Sequence, residues 1–312
     1  MTLKLIPAVR APRPARPHDA YAALRFRAVV DWVELKVVTA APSNFDTLRK
    51  RTGASFVQAL DESAGGAATE FLVRMQEPSH WQDVEDALGR FTADHALAKP
   101  VTIHAIEIAL DAYSRINRRD DLVAMTLKFY KFAKFMASEK RRMSRGKGDT
   151  HDIVNARWLT PKDIADGYNV YVGNKGEPVQ QHIYLKETTH QDGVAIALPS
   201  HEHRARTEVT FTGNGVPDGL VSNWRSFEIA ALSGYFSYRR PKDELDPLLQ
   251  LVVQTMPQVG EAKPRRAKSR HRRMHSTTTC ADIELNARAY SALRELTKRM
   301  QGGAKATGPL AA

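Results

Sequence analysis

Residues 101–112 read VTIHAIEIALDA, a stretch whose apolar and polar side chains alternate with the period of two that is typical of a β-strand. On such a strand the apolar side chains from Ile106 to Leu110 pack to one side, while Glu107 and Asp111 share the other. Two carboxylates on one face can hold a divalent cation through oxygen ligands. Solvated acids on an edge strand would give the same pattern, and the residues leave both interpretations open.

Strand and helix patterns occur in groups along the rest of the chain. Further strands are predicted at 29–38 (VVDWVELKVV), 70–75, 168–173 (YNVYVG), 182–188 (HIYLKET), 194–198 and 204–212 (RARTEVTFT). Helices are predicted at 46–60, 79–95, 120–138, 221–238, 242–253 and 281–300. This order predicts an α+β fold with a mainly antiparallel central sheet that is flanked by helices. The sequence has no G-x-G-x-x-G segment after a strand and no P-loop, so it lacks the usual markers of dinucleotide enzymes and ATP-driven motors.

The composition favours a polyanionic partner. The chain has 46 lysines and arginines against 35 acids, which gives a net charge of +11. Such an excess favours binding to nucleic acid through its phosphates. No apolar run approaches the roughly 20 residues of a transmembrane helix, so we expect a cytoplasmic protein. The single cysteine, Cys280, excludes a disulfide within the chain and a zinc site built on cysteines.

Two segments concentrate the positive charge. Residues 263–275 read KPRRAKSRHRRMH, and residues 139–147 read EKRRMSRGK. The first has no apolar periodicity, so we expect a linker or an arm that orders on DNA. The candidate contacts to DNA phosphates, taken from these segments and from the strand at 204–212, are Arg141, Arg142, Arg145, Arg206, Lys263, Arg265, Arg266, Lys268, Arg270, Arg272 and Arg273.

The predicted strand HIYLKET places His182, Tyr184 and Lys186 on one face. A tyrosine can attack a phosphodiester and form a covalent phosphotyrosine. A neighbouring lysine can stabilise the charge that develops during the attack. A solvent-facing strand with ordinary polar residues would look the same, so that alternative stays open.

The predicted strand RARTEVTFT carries Arg206 and Glu208 on a common face. The glutamate could add a third carboxylate to a metal site while the arginine contacts the DNA backbone. The two could equally form a plain ion pair. The segment HEH at 201–203 offers an alternative metal site, because two histidines two residues apart on a strand can reach one ion. The preceding Pro199, however, favours a loop there.

The order of these segments resembles the replication-initiation-factor family, which contains initiators of rolling-circle replication in plasmids and filamentous phages. The matching pieces are Asp31-Trp32, Glu107 with Asp111, Tyr171-Val172-Gly173, Ile183-Tyr184-Leu185-Lys186 and Arg206-Thr207-Glu208. The resemblance covers about residues 28–255 and implies a relative of the HUH nuclease fold. We divide the chain into a basic flexible arm (1–27), a nickase domain like those of the initiators (28–255), a basic linker (256–280), and a C-terminal helix with a disordered tail (281–312).

The resemblance also implies roles for single residues. Tyr184 would be the nucleophile, supported by Lys186 and His182. Family members often have an arginine two residues before the tyrosine and an acid after it, whereas this chain has His182 and Leu185 there. The ligands of the family's Mg²⁺ or Mn²⁺ would be Glu107, Asp111 and Glu208.

The predicted function is therefore a rolling-circle initiator that nicks one strand at an origin, forms a 5′-phosphotyrosine link, and later rejoins the strand. Its partners would be double-stranded origin DNA, the displaced single strand, and a host helicase or polymerase, in the cytoplasm of a bacterial host. A non-enzymatic phage repressor or plasmid partition factor would explain the charge equally well, but not the acids and the His-Tyr-Lys face. A tyrosine recombinase fits less well, because the only late tyrosine, Tyr290, lies on a helix that we expect to be structural.

Overall fold

The computed structural model describes most of the chain between residues 20 and 302. The described residues are 20–61, 66–135, 137–138, 140–146, 148–152, 159–191, 194–248, 250 and 278–302. Residues 1–19 of the basic arm (1–27), most of the basic linker and the tail after 302 therefore lie outside the described residues, whereas residues 24–27 of the arm begin a strand of the central sheet. Within the described residues, no helix combines the length and the apolar character that crossing a bilayer requires.

A nine-stranded sheet forms the centre of the described part of the chain. From edge to edge its strands are β2 (Phe56–Ala59), β3 (Ala67–Gln76), β1 (Leu24–Asn44), β4 (Thr102–Ser114), β11 (Arg204–Thr212), β8 (Val179–Lys186), β7 (Asn169–Val172), β5 (Arg141–Gly146) and β6 (Asp149–Asp152). Each neighbouring pair runs antiparallel. Two smaller antiparallel pairs join β9 (Thr188–Gln191) to β10 (Val194–Ala197) and β12 (Arg239–Pro241) to β13 (Thr279–Ala281). The predicted α+β fold with a mainly antiparallel sheet is confirmed.

Helices cover the apolar side of this sheet. The helices are α1 (Phe45–Thr52), α2 (Trp81–Thr92), α3 (Arg119–Lys131), α4 (Pro161–Ala165), α5 (Asp218–Ser222) and α6 (Ile283–Gln301). Helix α3 packs on β4, β8 and β11, and α6 packs on β1. On the central strand β4, Ile106, Ile108 and Leu110 are fully buried, as the alternation at 101–112 predicts. The opposite face of the central strands carries the polar side chains that form the candidate site.

A bulge in β1 changes which of its side chains face each side of the sheet. The pairing of β1 with β4 skips one residue, Asp31, between Val30 and Trp32. Before the bulge even-numbered side chains such as Val30 are buried, and after it odd-numbered ones such as Val33 are. Bulges bend a strand and redirect its side chains in this way. As a result Asp31 and Trp32, although adjacent in sequence, both contact side chains on the polar face of the sheet.

The C-terminal helix belongs to the same core as the sheet. Its Leu293 and Leu296 are buried in the main apolar cluster. Asp282 caps the helix by accepting a hydrogen bond from the backbone of its first turn. The same carboxylate pairs with Lys128 of α3 at 2.9 Å and accepts the hydroxyl hydrogen of Tyr21 at 2.5 Å. A charged hydrogen-bond network thus fastens the start of α6 to the body of the protein.

The predicted helix at 46–60 is wrong in its second half. Helix α1 ends at Thr52, and Gly53 closes it in the left-handed region with a φ of 69°. Glycine adopts this conformation without the steric cost of a side chain, which makes it a common helix terminator. Residues 56–59 then form β2 at the edge of the sheet, where Val57 is buried.

The helix prediction for 221–238 is also wrong, and the one for 242–253 is wrong in its first part. In the first range the backbone is interrupted at Phe227, whose ψ of 130° is extended. Residues 242–246 are not helical, residues 247, 248 and 250 are helical, and 251–253 lie outside the described residues. In the first range the apolar residues pack through several short helical segments instead of one long helix. The elements that replace the first helix are α5 and the 3₁₀ segments Trp224–Ser226 and Ile229–Phe236.

Candidate active site and metal centre

Three carboxylates meet on the polar face of the sheet. Asp31 from the β1 bulge, Glu107 from β4 and Glu208 from β11 bring ligand oxygens within 4.8 Å of one another. The strand register explains two of them, because Glu107 lies opposite Thr210 and Glu208 lies opposite Ala109 on neighbouring strands. The acid cluster, as we call Asp31, Glu107 and Glu208, is the one group of three potential ligands within such reach in the described part of the chain.

Glu107 is held by neutral donors on both sides. Its Oε1 accepts a hydrogen bond from the Trp32 indole at 2.9 Å, and its Oε2 accepts one from the Thr210 hydroxyl at 2.5 Å. Burial, and then the negative charge of Glu208, raise the pKa of Glu107 to about 8. Burial also raises the pKa of Asp31, although the positive charge of Arg206 opposes that increase. The cluster therefore resists full ionisation unless positive charge enters it.

Glu208 is the ionised member of the cluster. Burial raises its pKa, but the hydrogen bond and charge of His182, the charge of Arg206 and the hydrogen bond of Tyr184 outweigh burial and lower the pKa to about 2. Its Oε2 lies 2.9 Å from Nδ1 of His182, and its Oε1 accepts the hydroxyl hydrogen of Tyr184 at 2.8 Å. Glu208 therefore links the acid cluster to the tyrosine.

The residues of the acid cluster fit a hard divalent cation. All three offer carboxylate oxygens, the ligands that Mg²⁺ and Mn²⁺ prefer. Two of them have pKa values raised by burial, and a bound cation would favour their charged forms. Beside them Nε2 of His182 is buried and has no hydrogen-bond partner among the described residues, so one polar atom next to the cluster is still unsatisfied.

Arg206 holds the carboxylates in place instead of facing solvent. Its guanidinium donates to both oxygens of Asp111, at 2.6 and 2.8 Å, and to Asp31 at 2.6 Å. It also donates to Glu208 at 3.2 Å. Both Arg206 and Asp111 are buried, at 2% and 0% exposure. The expectation that Arg206 contacts the DNA backbone is therefore corrected, because no donor of that side chain is left in an exposed position.

The metal ligands implied by the resemblance differ from the cluster in one residue. Glu107 and Glu208 are both members, whereas Asp111 lies four residues after Glu107 on β4, where Arg206 donates to both of its oxygens. Asp31 takes its place in the cluster. Asp31 also belongs to the resemblance, but an unbroken alternation gives no sign of the bulge that brings it to this face.

Tyr184 lies at the edge of the acid cluster as a neutral phenol. Burial, and then the negative charge of Glu208, raise its pKa. Its ring stacks on His182 at 4.2 Å, and Tyr171 stacks on the other side of the same imidazole at 4.2 Å. Lys186 lies two residues further along the same face, and burial, followed by the charge of Arg206, lowers its pKa. The predicted face of His182, Tyr184 and Lys186 is thus present on β8 next to the acids.

The other predicted residues lie away from this centre. Arg141, Arg142 and Arg145 lie on β5 near the far edge of the sheet, with Arg142 above the Tyr171 ring at 4.9 Å. The HEH segment is a 3₁₀ turn followed by an extended residue, and its last histidine hydrogen-bonds the Leu198 carbonyl at 2.8 Å. Among the described residues it supplies no cluster of three ligands. The remaining DNA-binding candidates lie outside the described residues, namely Lys263, Arg265, Arg266, Lys268, Arg270, Arg272 and Arg273.

No protein-family model and no curated protein matches the sequence. Among solved structures, a rolling circle replication initiator protein from Geobacillus stearothermophilus is similar, with a TM-score of 0.35 and 14% sequence identity. The likeness covers 75% of this chain and 97% of that chain. Similarity at this level carries no argument about activity, so the function has to be inferred from the site itself.

Divalent ions are expected to stabilise the protein through the acid cluster. At about 100 times its dissociation constant, Mn²⁺ should stabilise the wild type by about 2.7 kcal/mol. Glu107→Gln should lose most of this increase, because one ligand oxygen becomes a neutral amide. The exposed Glu228, which lies outside the site, provides the matched control Glu228→Gln. Thermal unfolding with and without the ion measures the effect, and equal increases in both variants would exclude the cluster as the binding site.

The same measurement should depend on pH. Folding raises the pKa of Glu107 from 4.5 to about 8, so the metal-free protein should lose stability as pH rises across that window. The cation requires the deprotonated carboxylate, so its stabilising effect should grow over the same range. An ion-induced increase in melting temperature that is the same at about pH 6 and about pH 8.5 would contradict this assignment.

Proposed function

We propose that this protein is a rolling-circle replication initiator that nicks one DNA strand with Tyr184. The observation that carries the proposal is the 2.8 Å hydrogen bond from the Tyr184 hydroxyl to Glu208, which is itself a member of the acid cluster. A phenol that touches a buried carboxylate at a group of oxygen ligands has the two parts that a tyrosine nickase requires, a nucleophile and a metal centre. The net charge of +11 supports a DNA substrate.

The tyrosine would act as a neutral phenol that loses its proton during the attack. Its oxygen forms a bond to the phosphorus while the bond from phosphorus to the 3′ oxygen breaks. The phenolic proton passes along the existing hydrogen bond to Glu208, and the departing 3′ oxygen takes a proton from water. Because Glu208 is a weak base, with a pKa of about 2, transfer becomes favourable only as the forming bond makes the phenol more acidic.

The surrounding residues orient and stabilise this reaction. His182 lies 2.9 Å from the other oxygen of Glu208 and fixes the carboxylate that receives the proton. Lys186, half-buried on the same strand face, provides positive charge for the phosphate. A divalent cation held by Asp31, Glu107 and Glu208 would polarise the scissile phosphate. The products are a 5′-phosphotyrosine link and a free 3′-OH that a polymerase can extend, and reversal of the same steps rejoins the strand.

The rest of the chain would serve DNA binding. Arg141, Arg142 and Arg145 on β5, together with the basic linker, are proposed to contact phosphates of the origin duplex or of the displaced strand. In this proposal residues 28–255 form the nickase domain and 256–280 the basic linker, and the protein acts in the cytoplasm of a bacterial host. A host helicase or polymerase would act on the opened DNA.

The experiment uses supercoiled DNA that carries the intergenic region of the protein's own replicon. With Mg²⁺ or Mn²⁺ we expect relaxed circles and a protein–DNA adduct that survives denaturation, and with EDTA we expect neither. Binding that persists in EDTA, with no relaxation or adduct under any condition, would identify a non-enzymatic DNA-binding protein. Nicking without an adduct would exclude the tyrosine mechanism.

A further inference from the structure

Two adjoining cavities lie at the N-terminal end of β1, beside the C-terminal helix α6. The larger measures about 420 Å³ and the smaller about 250 Å³, and both are lined by Arg27 of β1 and Arg299 of α6. Strand β3 ends opposite Trp32. Before that residue, β1 pairs with β4 along one edge, and no strand of the described part of the chain pairs with its other edge. Arg299 fills the other side by donating a hydrogen bond to the Ala28 carbonyl. The two cavities together form what we call the arginine cleft.

The arginine cleft concentrates positive charge. The smaller cavity is lined by five arginines and one acid, Glu295, which pairs with Lys298 at 2.8 Å. Arg25 and Arg27 are exposed, and in the described residues neither forms an ion pair. Burial, and then the charge of Arg27, lower the pKa of Arg299. Like charges this close repel one another, so an anion bound between them would be stabilised.

The cleft leads to the candidate active site. The larger cavity is lined by Arg204, Arg206 and Asp111 as well as by Arg27 and Arg299. Arg206 in turn contacts Asp31 and Glu208 of the acid cluster. A chain that enters along the arginines would therefore arrive beside the carboxylates that lie next to Tyr184.

We propose that the arginine cleft binds the phosphodiester backbone of a single DNA strand and directs it to the acid cluster. That the strand is directed to the acid cluster rests on the proposed function, whereas the binding of its phosphates by the arginines does not. Repeating phosphates match a row of arginines, which bind phosphate through paired N–H donors. A cavity of about 420 Å³ has the size of a small-molecule site, which holds about one nucleotide of a strand and excludes a whole duplex.

The test measures the salt dependence of binding to a fluorescent oligothymidine in EDTA, so that nicking plays no part. The double variant Arg25→Gln with Arg27→Gln should bind more weakly and should lower the slope of log K against log salt by about 1.4, since each lost contact to a single strand contributes about 0.7. The matched control is Arg49→Gln with Lys50→Gln, because these two exposed cations of α1 lie outside the cleft.

Each outcome decides the proposal. A reduced slope in the cleft variant, with wild-type slopes in the control and in Arg25→Lys with Arg27→Lys, supports it. Equal slopes in the cleft variant and the control overturn it, as does a loss that affects a duplex but not the oligothymidine. Circular dichroism and thermal unfolding of each variant show whether the fold is retained, and Arg299 is left unchanged because its bond to Ala28 supports the fold.

The two proposals fail in different ways. If nicking is absent but the slope still depends on Arg25 and Arg27, the cleft binds a strand and the proposed nickase function is wrong. If nicking with an adduct is present and the cleft variant binds and nicks like the control, the nickase stands and the strand follows another path.

Discussion

Tyr184→Phe is expected to abolish both the relaxation of supercoiled DNA and the covalent protein–DNA adduct. The substitution removes the one oxygen that would bond to phosphorus, and with it the hydrogen bond of 2.8 Å to Glu208. Removing a nucleophile should lower the nicking rate by about 10⁴-fold or more, to the level of the uncatalysed background. Relaxation on agarose gels and adduct formation on denaturing gels measure the loss.

The variant needs a control that removes a tyrosine hydroxyl elsewhere. Tyr290→Phe is suited to this purpose, because Tyr290 is 49% exposed on α6 and lies far along the chain from β8. It should nick like the wild type, and it also tests the recombinase alternative, in which a late tyrosine would be the nucleophile. DNA binding in EDTA should be the same for both variants, which separates loss of chemistry from loss of the substrate.

Persistent nicking by Tyr184→Phe would contradict the proposed nucleophile. Tyr171 would then be the next candidate, because its ring lies on the same face, stacked on His182. Tyr238 is a poor substitute at 2% exposure, and Tyr235 packs against the ring of Phe211. A phosphopeptide map of the trapped adduct would identify the residue that carries the DNA.

The candidate site could be predicted from the sequence where it depends on strand alternation. Glu107, Glu208 and Tyr184 each lie on a strand whose period of two is clear, so their common face follows from counting. The resemblance implies the same three residues, together with Asp111, which lies outside the acid cluster. What counting cannot supply is the relative register of strands that are distant in sequence, which tertiary packing fixes.

Asp31 and Asp111 illustrate this limit. An unbroken alternation in VVDWVELKVV cannot reveal a bulge, so it cannot predict that Asp31 and its neighbour Trp32 reach the same face. Asp111 shares a face with Glu107, as predicted, but the register of β11 places Arg206 directly opposite it. An ion pair across two strands depends on that register, and the sequence alone leaves it undetermined.

Fold predictions failed for a related reason at the helix ends. The pattern at 46–60 has helical spacing, yet Gly53 ends the helix and the following residues pair with β3 as an edge strand. A short helix followed by a short strand has too few periods to be distinguished from one longer helix. By contrast, the long strand at 101–112 lies in the centre of the sheet, and its apolar face is buried as the alternation predicts, although Ala109 and Asp111 on the polar face are buried as well.

Arg206→Met is expected to destabilise the protein strongly, by about 3–5 kcal/mol, because it leaves the buried carboxylate of Asp111 with only the longer ion pair of 3.5 Å to Arg204. Asp111 has no exposed surface, and both of its oxygens accept from this guanidinium. The midpoint and slope of urea unfolding, measured in EDTA, give the change in the free energy of unfolding. Arg49→Met, on the surface of α1, should change it by less than about 0.5 kcal/mol.

Adding Asp111→Asn tests whether the loss comes from the unpaired charge. The double variant should recover part of the stability that Arg206→Met loses, since a neutral amide costs less to bury than a carboxylate. Recovery should be incomplete, because Arg206 also donates to Asp31 and Glu208, whose mutual repulsion then increases. A double variant as unstable as the sum of its two single changes would mean that Arg206 and Asp111 do not stabilise each other.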